Sequence, residues 1–315
     1  MASDEAQKLE PLRLELQLQA HQLNWPLHVG PPLSNQGAFG RVFDGLWTST
    51  QEAVVIKYQR HSRTNRYVTM LDIQSLKSQS EQACTHTPYM MLYFDQGGLP
   101  EYRLYPLQKS IVPVEYYVGV KATLCQTLPA AQAKAYFDIE SLGGYMIIFY
   151  KITNGITVQQ YIQQNPVISE RQAKNIIILI ILNMHLVKRS LVYHNDLTAS
   201  NMFLQTQPYP RVLFIDFGDA DVMDGYTYNQ LKIPPDMWTT NYPGGLRGTF
   251  HLIINACQEC KQQYPQNISQ TFVPPQQQQQ AIVEQSAMHP WIVNDLKAVI
   301  DNPQFPYYHW KVFKT

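Results

Sequence analysis

The spacing of hydrophobic and polar positions predicts both strands and helices along this chain. Residues 12–18 alternate with period two, which indicates a half-buried strand, although a helix is the alternative because leucine is not typical of strands. The apolar run Tyr145–Ile152 predicts a buried strand, and Ile156–Gln164 has helical spacing. Ser169–Arg189 is nearly all apolar, as expected for a buried helix.

The segment from Tyr89 to Ser141 is longer than a simple pair of strands requires. Its runs rich in aromatic and β-branched residues predict three strands, and a stretch richer in alanine predicts a helix. The three strands are expected at Tyr89–Phe94, Tyr102–Tyr105 and Val112–Val120, and the helix at Leu128–Phe137. We interpret residues 89–141 as an insertion that serves substrate docking, activator binding or added core.

The composition adds no further elements to this prediction, but it argues against nucleic-acid binding and against a membrane span. With 15% charged residues and a formal net charge of zero, the chain has no basic footprint for nucleic acid. The longest apolar run, Ile176–Leu182, is too short to span a bilayer, and the polar start lacks the pattern of a signal peptide. We therefore expect a cytoplasmic protein, or one in a host cytoplasm if a pathogen delivers it without a cleaved signal.

The four cysteines are too few and too scattered for a disulfide scaffold, which favours a reducing compartment. Cys84 and Cys125 stand alone in the sequence, whereas Cys257 and Cys260 form a CxxC pair. No second CxxC accompanies that pair, so we interpret it as two neighbours on a helix and not as half of a zinc site.

The chemistry-bearing residues are concentrated between positions 191 and 220. His194-Asn195-Asp196 is followed five residues later by Asn201, and Asp216-Phe217-Gly218 follows the apolar run Val212–Ile215. Carboxylate and amide oxygens are ligands that Mg²⁺ accepts, and a carboxylate can orient an attacking hydroxyl. Together these residues resemble the catalytic loop and the metal-binding loop of the protein kinase family.

Two upstream motifs strengthen the resemblance. Residues 37–42, Gly-Ala-Phe-Gly-Arg-Val, resemble the glycine-rich loop, and Val54-Val55-Ile56-Lys57 resembles the strand with the phosphate-binding lysine. The resemblance thus covers roughly residues 33–220. It implies an α+β, bilobal, protein-kinase-like fold with a small β-rich N-lobe and a mainly helical C-lobe. The implied boundaries are 1–26 for an N-terminal extension, 27–152 for the N-lobe with the insertion around 89–141, and 153–315 for the C-lobe.

The resemblance also assigns residues to an ATP site. Backbone and side chains of the glycine-rich loop would cover the phosphates, Lys57 would contact them, and the strand before residue 153 would supply a gatekeeper and backbone hydrogen bonds to adenine. The residues so implied are Gly37, Phe39, Gly40, Val42, Lys57, Phe149, Tyr150 and Ile152. Lys57 also needs a carboxylate partner, for which we expect Glu81 on a helix after Tyr67, with Asp72 as the alternative.

The catalytic loop departs from the family at two positions. Asn195 stands where many kinases have an arginine that grips a phosphorylated activation loop, so no such phosphate switch is expected. Thr198 stands where protein Ser/Thr kinases usually place a lysine on the γ-phosphate, which puts the acceptor class in doubt. In the glycine-rich loop, Asn35 replaces the first glycine.

The pattern fades beyond Gly218, where no clear APE motif follows. The central helix of the large lobe is expected to begin either at residues 236–239, which resemble its usual start, or at Thr249–Cys257. The peptide-docking platform is therefore expected to be trimmed. A compact kinase of this kind resembles constitutively active or host-activated kinases of pathogens, of effector or viral type.

These implications lead to an atypical protein kinase as the first hypothesis. Asp196 and Lys57 would be catalytic, Asn201 and Asp216 would bind Mg²⁺, and ATP would be the cofactor. The substrate would be a protein hydroxyl, for which serine or threonine is expected. An activator or docking partner is possible through the insertion. Two alternatives stay open: a transferase acting on a small molecule or lipid headgroup or transferring AMP, and a pseudokinase that scaffolds a partner.

Overall fold

The computed structural model describes residues 2–34, 40–62, 65–71, 91–92, 109–125, 128–190, 192–205, 211–222 and 246–260. The chain divides into two compact units, the first formed by Met1–Gln126 with Ala130–Thr153 and the second by Thr127–Pro129 with Asn154–Thr315. The described residues include five α-helices and several antiparallel sheets. The expected α+β class is therefore confirmed.

The first unit contains two helices and eight strands among its described residues. In chain order they are α1 (Ala2–Gln22), β1 (Leu27–Ser34), β2 (Arg41–Trp47), β3 (Glu52–Arg60), β4 (Tyr67–Leu71), β5 (Met91–Leu92), β6 (Lys109–Pro113), α2 (Val114–Leu124), β7 (Ala133–Ile139) and β8 (Gly144–Tyr150). Five strands form one antiparallel sheet in the order β1-β2-β3-β8-β7, and a second sheet has the order β5-β4-β6.

The five-stranded sheet buries a different set of residues on each face. Along β3, Val54, Ile56 and Tyr58 alternate into a core shared with Leu16 and Ala20 of α1. Because side chains of a strand alternate between faces, the side chain of Lys57 lies on the opposite face. Helix α2 packs on that opposite face, where its Gly119 approaches Ala133 of β7 and Phe149 of β8.

The strand expected at residues 12–18 is wrong, because these residues belong to helix α1. Leucine has a high helix propensity, and Leu16 and Ala20 lie one turn apart on the buried face. The helix also satisfies polar groups of the edge strand β1. Gln17 Nε2 donates to Leu27 O (3.0 Å), Gln17 Oε1 accepts from Val29 N (2.7 Å), and Arg13 Nη1 donates to Val29 O (2.9 Å).

Two assignments in the insertion are also wrong. The strand expected at Val112–Val120 is instead the end of β6 followed by α2, and the helix expected at Leu128–Phe137 gives way to strand β7. Helix α2 is buried from Val114 to Ala122 and is rich in valine and tyrosine, so its composition resembles that of a strand. Of the other two expected strands, β5 covers two residues of Tyr89–Phe94, and Tyr102–Tyr105 lies outside the described residues.

The second unit contains three helices and five short strands among its described residues. They are β9 (Gly155–Thr157), α3 (Val158–Gln164), α4 (Glu170–Arg189), β10 (Val192–Tyr193), β11 (Met202–Gln205), β12 (Arg211–Phe214), β13 (Asp221–Val222) and α5 (Leu246–Asn255). One sheet has the order β12-β11-β9, and β10 pairs with β13. No helix in the described part of the chain is both long and apolar enough to cross a membrane.

The helical expectations for this unit are largely confirmed. Helix α4 matches the apolar stretch Ser169–Arg189, and α3 begins only after Gly155–Thr157 has paired with β11. A capping box between Thr157 and Gln160 fixes the start of α3. Helix α5 covers much of Thr249–Cys257, whereas the alternative at 236–239 lies outside the described residues.

The interpretation of Cys257 and Cys260 as neighbours on a helix is wrong. Helix α5 ends at Asn255, and the two cysteines form a disulfide bond across the turn that follows. Both residues are fully buried. Their sulfur atoms are thus joined to each other, and the pair does not offer thiolates to a zinc ion.

Gly119 provides a test of how tightly α2 packs on the sheet. A Cβ at this position would lie 2.6 Å from Ala133 Cβ and 3.2 Å from Phe149 Cε1. Alanine normally stabilises a helix relative to glycine, but we expect Gly119→Ala to lower the free energy of unfolding by about 1–3 kcal/mol through overpacking. Denaturant unfolding measures the change. The double variant Gly119→Ala, Ala133→Gly should recover part of the loss relative to the two single variants, and additive losses would contradict the proposed contact.

Candidate active site

The first group of predicted site residues surrounds Lys57 in the first unit. Lys57 lies in the middle of β3, opposite Val42 of β2 and Ile147 of β8. Its Nζ donates to Glu115 Oε2 at 2.6 Å, and the two residues are only 7% and 4% exposed. Glu115 lies in the first turn of α2, so this buried ion pair joins the helix to the sheet.

Glu115 is thus a carboxylate partner of Lys57 that the sequence did not predict. Glu81 and Asp72 lie outside the described residues. Sequence reasoning searched the segment directly after Lys57, whereas Glu115 is 58 residues further along the chain, in a stretch expected to be a strand. The signal that could have found it is a single acid within an otherwise apolar run, because a buried acid needs a partner.

The glycine-rich segment is described only from Gly40 onward; Gly37 and Phe39 lie outside the described residues. A Cβ on Gly40 would lie 2.9 Å from Tyr58 O and 3.2 Å from Lys57 Cε. A side chain at this position would therefore press directly on the lysine. Val42 lies opposite Lys57 in the β2–β3 ladder and is half-buried, so both residues sit beside the ion pair as expected.

The residues implied for adenine binding lie at the end of β8. Phe149 is buried opposite Val55 and Ala133. The backbone N–H of Tyr150 donates to Gln132 O (2.9 Å), so it is already engaged and does not provide a free donor. The backbone of Ile152 makes no hydrogen bond with any described residue, which leaves its N–H and C=O for a ligand.

The second group lies in the second unit, where β10, β11 and β12 position the catalytic-loop residues. Asn201 Nδ2 donates to Asp196 Oδ2 (2.8 Å) and to Asp196 O (3.0 Å). Because both bonds use the amide nitrogen, Asn201 Oδ1 remains as an acceptor that can ligate a cation. Asp196 Oδ1 accepts no hydrogen bond from the part of the chain that the structure describes.

His194 holds backbone groups of both loops. It is 2% exposed, and its ring packs against Phe217 with centroids 4.4 Å apart. Its Nδ1 accepts from Asp196 N (3.3 Å). That bond leaves the proton on Nε2, which donates to Ile215 O at 2.8 Å. Both ring nitrogens therefore hold backbone groups and neither is left for proton transfer.

Asp216 and Asp219, in the turn after β12, influence the carboxyl group of Asp196 electrostatically. Burial raises the pKa of the Asp196 carboxyl, and the negative charges of Asp216 and Asp219 raise it further. Asp216 adopts a left-handed conformation with φ of 62°. Sequence reasoning missed Asp219, although it directly follows the Asp-Phe-Gly motif. A carboxylate whose pKa is raised by like charges is one that a bound cation would stabilise.

Asp216 and Asn201 are the residues of this loop that could hold Mg²⁺. Within the described ranges, no group of three or more His, Cys, Asp and Glu side chains is arranged to hold a metal ion. Mg²⁺ commonly uses one or two carboxylates together with substrate phosphates and water. Asp216 and the free Oδ1 of Asn201 supply oxygen ligands of that kind.

Thr198 does not supply the positive charge that a lysine would bring to the loop. Its Oγ1 lies 2.8 Å from Ser200 Oγ, and its backbone N–H donates to Asp196 O (3.0 Å). The loop is held from the other side by Thr249 of α5, whose Oγ1 donates to Leu197 O (3.3 Å). Thr198 therefore shapes the loop by hydrogen bonds.

The structure thus brings Asp196 and Asn201 together with Asp216 in one unit, and Gly40 and Val42 together with Lys57 in the other. A scan against protein-family models and a search of curated proteins find no match to this chain. Its function is therefore inferred from its own residues.

The buried ion pair predicts a strong effect of removing one partner. Lys57→Met or Glu115→Gln should each lower the free energy of unfolding, and for Lys57→Met, which removes the cation bonded to the buried Glu115 carboxylate, the loss should be about 3–5 kcal/mol. The double variant Lys57→Met, Glu115→Gln should lose less than the sum of the singles, because both members of the buried ion pair are removed together. Urea unfolding of all four proteins measures the coupling, and additive losses would contradict the pairing.

The raised pKa of Asp196 predicts a pH-dependent stability. The folded state binds the proton of the Asp196 carboxyl more tightly than the unfolded state does. The contribution of Asp196 to stability therefore falls as pH rises from the ordinary carboxyl pKa through the raised pKa of the folded state. Asp196→Asn should therefore raise the melting temperature at neutral pH without added metal. The gain should shrink as pH falls below that window. A variant less stable than wild type at neutral pH would contradict the electrostatic account.

Proposed function

We propose that this chain is an atypical ATP-dependent protein kinase that transfers the γ-phosphate of Mg-ATP to a protein hydroxyl, with serine or threonine as the acceptor. The observation that carries the proposal is the arrangement of Asp196, Asn201 and Asp216. Asp196, the proposed proton acceptor, accepts a hydrogen bond from Asn201 and is influenced by the negative charge of Asp216, and these two residues are the proposed metal ligands. The buried pair of Lys57 and Glu115 supports it. A bilobal kinase-like architecture is part of the same proposal.

Asp196 serves as the residue that orients the acceptor hydroxyl and takes its proton. Its Oδ2 is held by Asn201, and Oδ1 has no partner among the described residues, so Oδ1 is the atom that receives the proton. The raised pKa makes the carboxylate a better proton acceptor than an exposed aspartate. The hydrogen bond from Asn201 keeps the carboxylate in one orientation throughout.

Asn201 Oδ1 and Asp216 hold the cation. A Mg²⁺ ion held by these two oxygen ligands would supply positive charge to the phosphate groups. Asn201 thereby links two roles, since its amide nitrogen orients Asp196 while its carbonyl oxygen remains for the metal. This coupling explains why an amide, with one donor end and one acceptor end, suits the position.

Lys57 contacts the α- and β-phosphates, and Glu115 fixes the position of its ammonium group. An unpaired lysine in a buried site would lose its charge or rotate away, whereas the 2.6 Å bond to Glu115 holds Nζ in place. Gly40 keeps the space beside Lys57 free of a side chain. Ile152 provides the free backbone groups for adenine.

The second candidate is a transferase with another acceptor, such as a small metabolite or a lipid headgroup, or one that transfers AMP. Thr198 favours it, because its hydroxyl bonds to Ser200 and brings no positive charge to the γ-phosphate. A nucleotide-binding scaffold without activity is the third candidate. The intact Asp196–Asn201 arrangement speaks against it.

Incubation with γ-labelled Mg-ATP and a cell lysate tests the proposal. We expect label on protein with wild type, and a loss of at least about a hundredfold for Asp196→Ala and for Asp216→Ala, since a general base or a preorganised charge contributes about this much. Glu140→Ala is the matched control, because it removes an exposed acid in the first unit. It should behave as wild type.

The product decides between the candidates. Phosphate and AMP add different masses, and intact-mass measurement of the labelled protein separates them. Label recovered only in the small-molecule or lipid fraction would move the assignment to the second candidate. Nucleotide binding without label in any fraction would support the scaffold. Full activity of Asp216→Ala would contradict its role as a metal ligand.

A further inference from the structure

His194 and Asn195 hold the Asp-Phe-Gly segment on either side of Asp216. His194 Nε2 donates to Ile215 O (2.8 Å), immediately before that residue. Asn195 Nδ2 donates to Asp219 O (2.9 Å), three residues after it, and to Asp221 Oδ2 (2.7 Å). The two residues that precede Asp196 thus bracket the segment that carries the other two carboxylates.

The backbone makes Asn195 suitable for this position. Its φ of 63° is left-handed, a conformation that asparagine tolerates better than other residues with a side chain. Asn195 lies just beyond β10, which pairs with β13 through Tyr193 and Asp221. The side-chain bonds of Asn195 therefore extend the contact between these two strands toward Asp219.

Burial makes these bonds strong constraints. Asn195 is 7% exposed and Asp221 is 1% exposed, so water competes little for the donor or the acceptor. The bond to Asp221 is charge-assisted, which shortens and strengthens it. The remaining amide proton is used by Asp219 O, so both donor positions of the Asn195 amide are directed at the same short segment.

We propose that Asn195 is a positioning residue: its amide fixes residues 216–219 against the catalytic loop through acceptors that the fold itself supplies, so that the carboxylate of Asp216 is held in place for the metal. This inference rests on the proposed function.

Asn195→Gly removes the amide and keeps the left-handed backbone free of strain. Asn24→Gly is the matched control, because Asn24 also has a positive φ of 54° and is exposed in the first unit. The first readout is the binding of Mn²⁺ together with a non-hydrolysable ATP analogue. This binding is measured through the electron paramagnetic resonance signal of free Mn²⁺. The second is the transfer assay, analysed for kcat, the KM of the acceptor and the half-saturating Mg²⁺ concentration.

We expect Asn195→Gly to weaken metal–nucleotide binding by about 10–100-fold, as for other residues that orient metal ligands. The half-saturating Mg²⁺ concentration should rise and kcat should fall, while the KM of the acceptor stays unchanged. Asn24→Gly should behave as wild type. Folded Asn195→Gly protein with wild-type metal binding and kcat would overturn the inference.

An exchanged pair keeps the inference testable if Asn195→Gly does not fold. Asn195→Asp alone places two carboxylates together in a buried site and should impair metal–nucleotide binding. Adding Asp221→Asn restores a donor and an acceptor with their roles reversed, and should recover part of the binding. No recovery would overturn the inference. If wild type itself binds no metal–nucleotide, the proposed function fails and this inference falls with it, whereas equal binding by wild type and Asn195→Gly removes the inference alone.

Discussion

The buried ion pair between Lys57 and Glu115 is the interaction on which the first unit depends. Lys57 and Glu115 are only 7% and 4% exposed, and the 2.6 Å hydrogen bond between them offsets part of the cost of burying two charged groups. The pair ties α2 to the face of the sheet opposite α1, and Gly119 lets the same helix approach Ala133 closely. A hydrophobic pair could stabilise this contact equally well, so the two charges support the proposal that Lys57 also binds phosphate.

The parts of the fold that sequence predicts are those in which local pattern and tertiary environment agree. Helix α4 is long and apolar, and β8 is a central strand whose neighbours on both sides bury it, so both were predicted correctly. Residues 12–18 and Val112–Val120 were assigned to strands because their patterns also suit strands. Both segments are helices that pack against the sheet. Neither the period-two pattern of the first nor the apolar composition of the second contains information about that packing.

The same distinction separates the site residues that were found from those that were missed. Asp196, Asn201 and Asp216 were predicted because their spacing within a short stretch carries the chemistry. Glu115 was missed because its relation to Lys57 exists only after α2 has packed on the sheet, 58 residues away in sequence. Asp219 was missed because its significance is electrostatic: it matters through its effect on the pKa of Asp196, which no motif encodes.

The charged residues of the two units differ in their surroundings. A carboxylate faces the lysine in the first unit, whereas acidic residues influence the aspartate in the second. Lys57 has its counter-ion within the fold, whereas Asp196 lies near two further acids and has its pKa raised as a result. Hydrogen bonds from His194 and Asn195 hold the backbone around those acids and do not cancel their charge. A bound cation would stabilise Asp196 in such an environment, which supports the proposal that Mg²⁺ binds here together with its nucleotide.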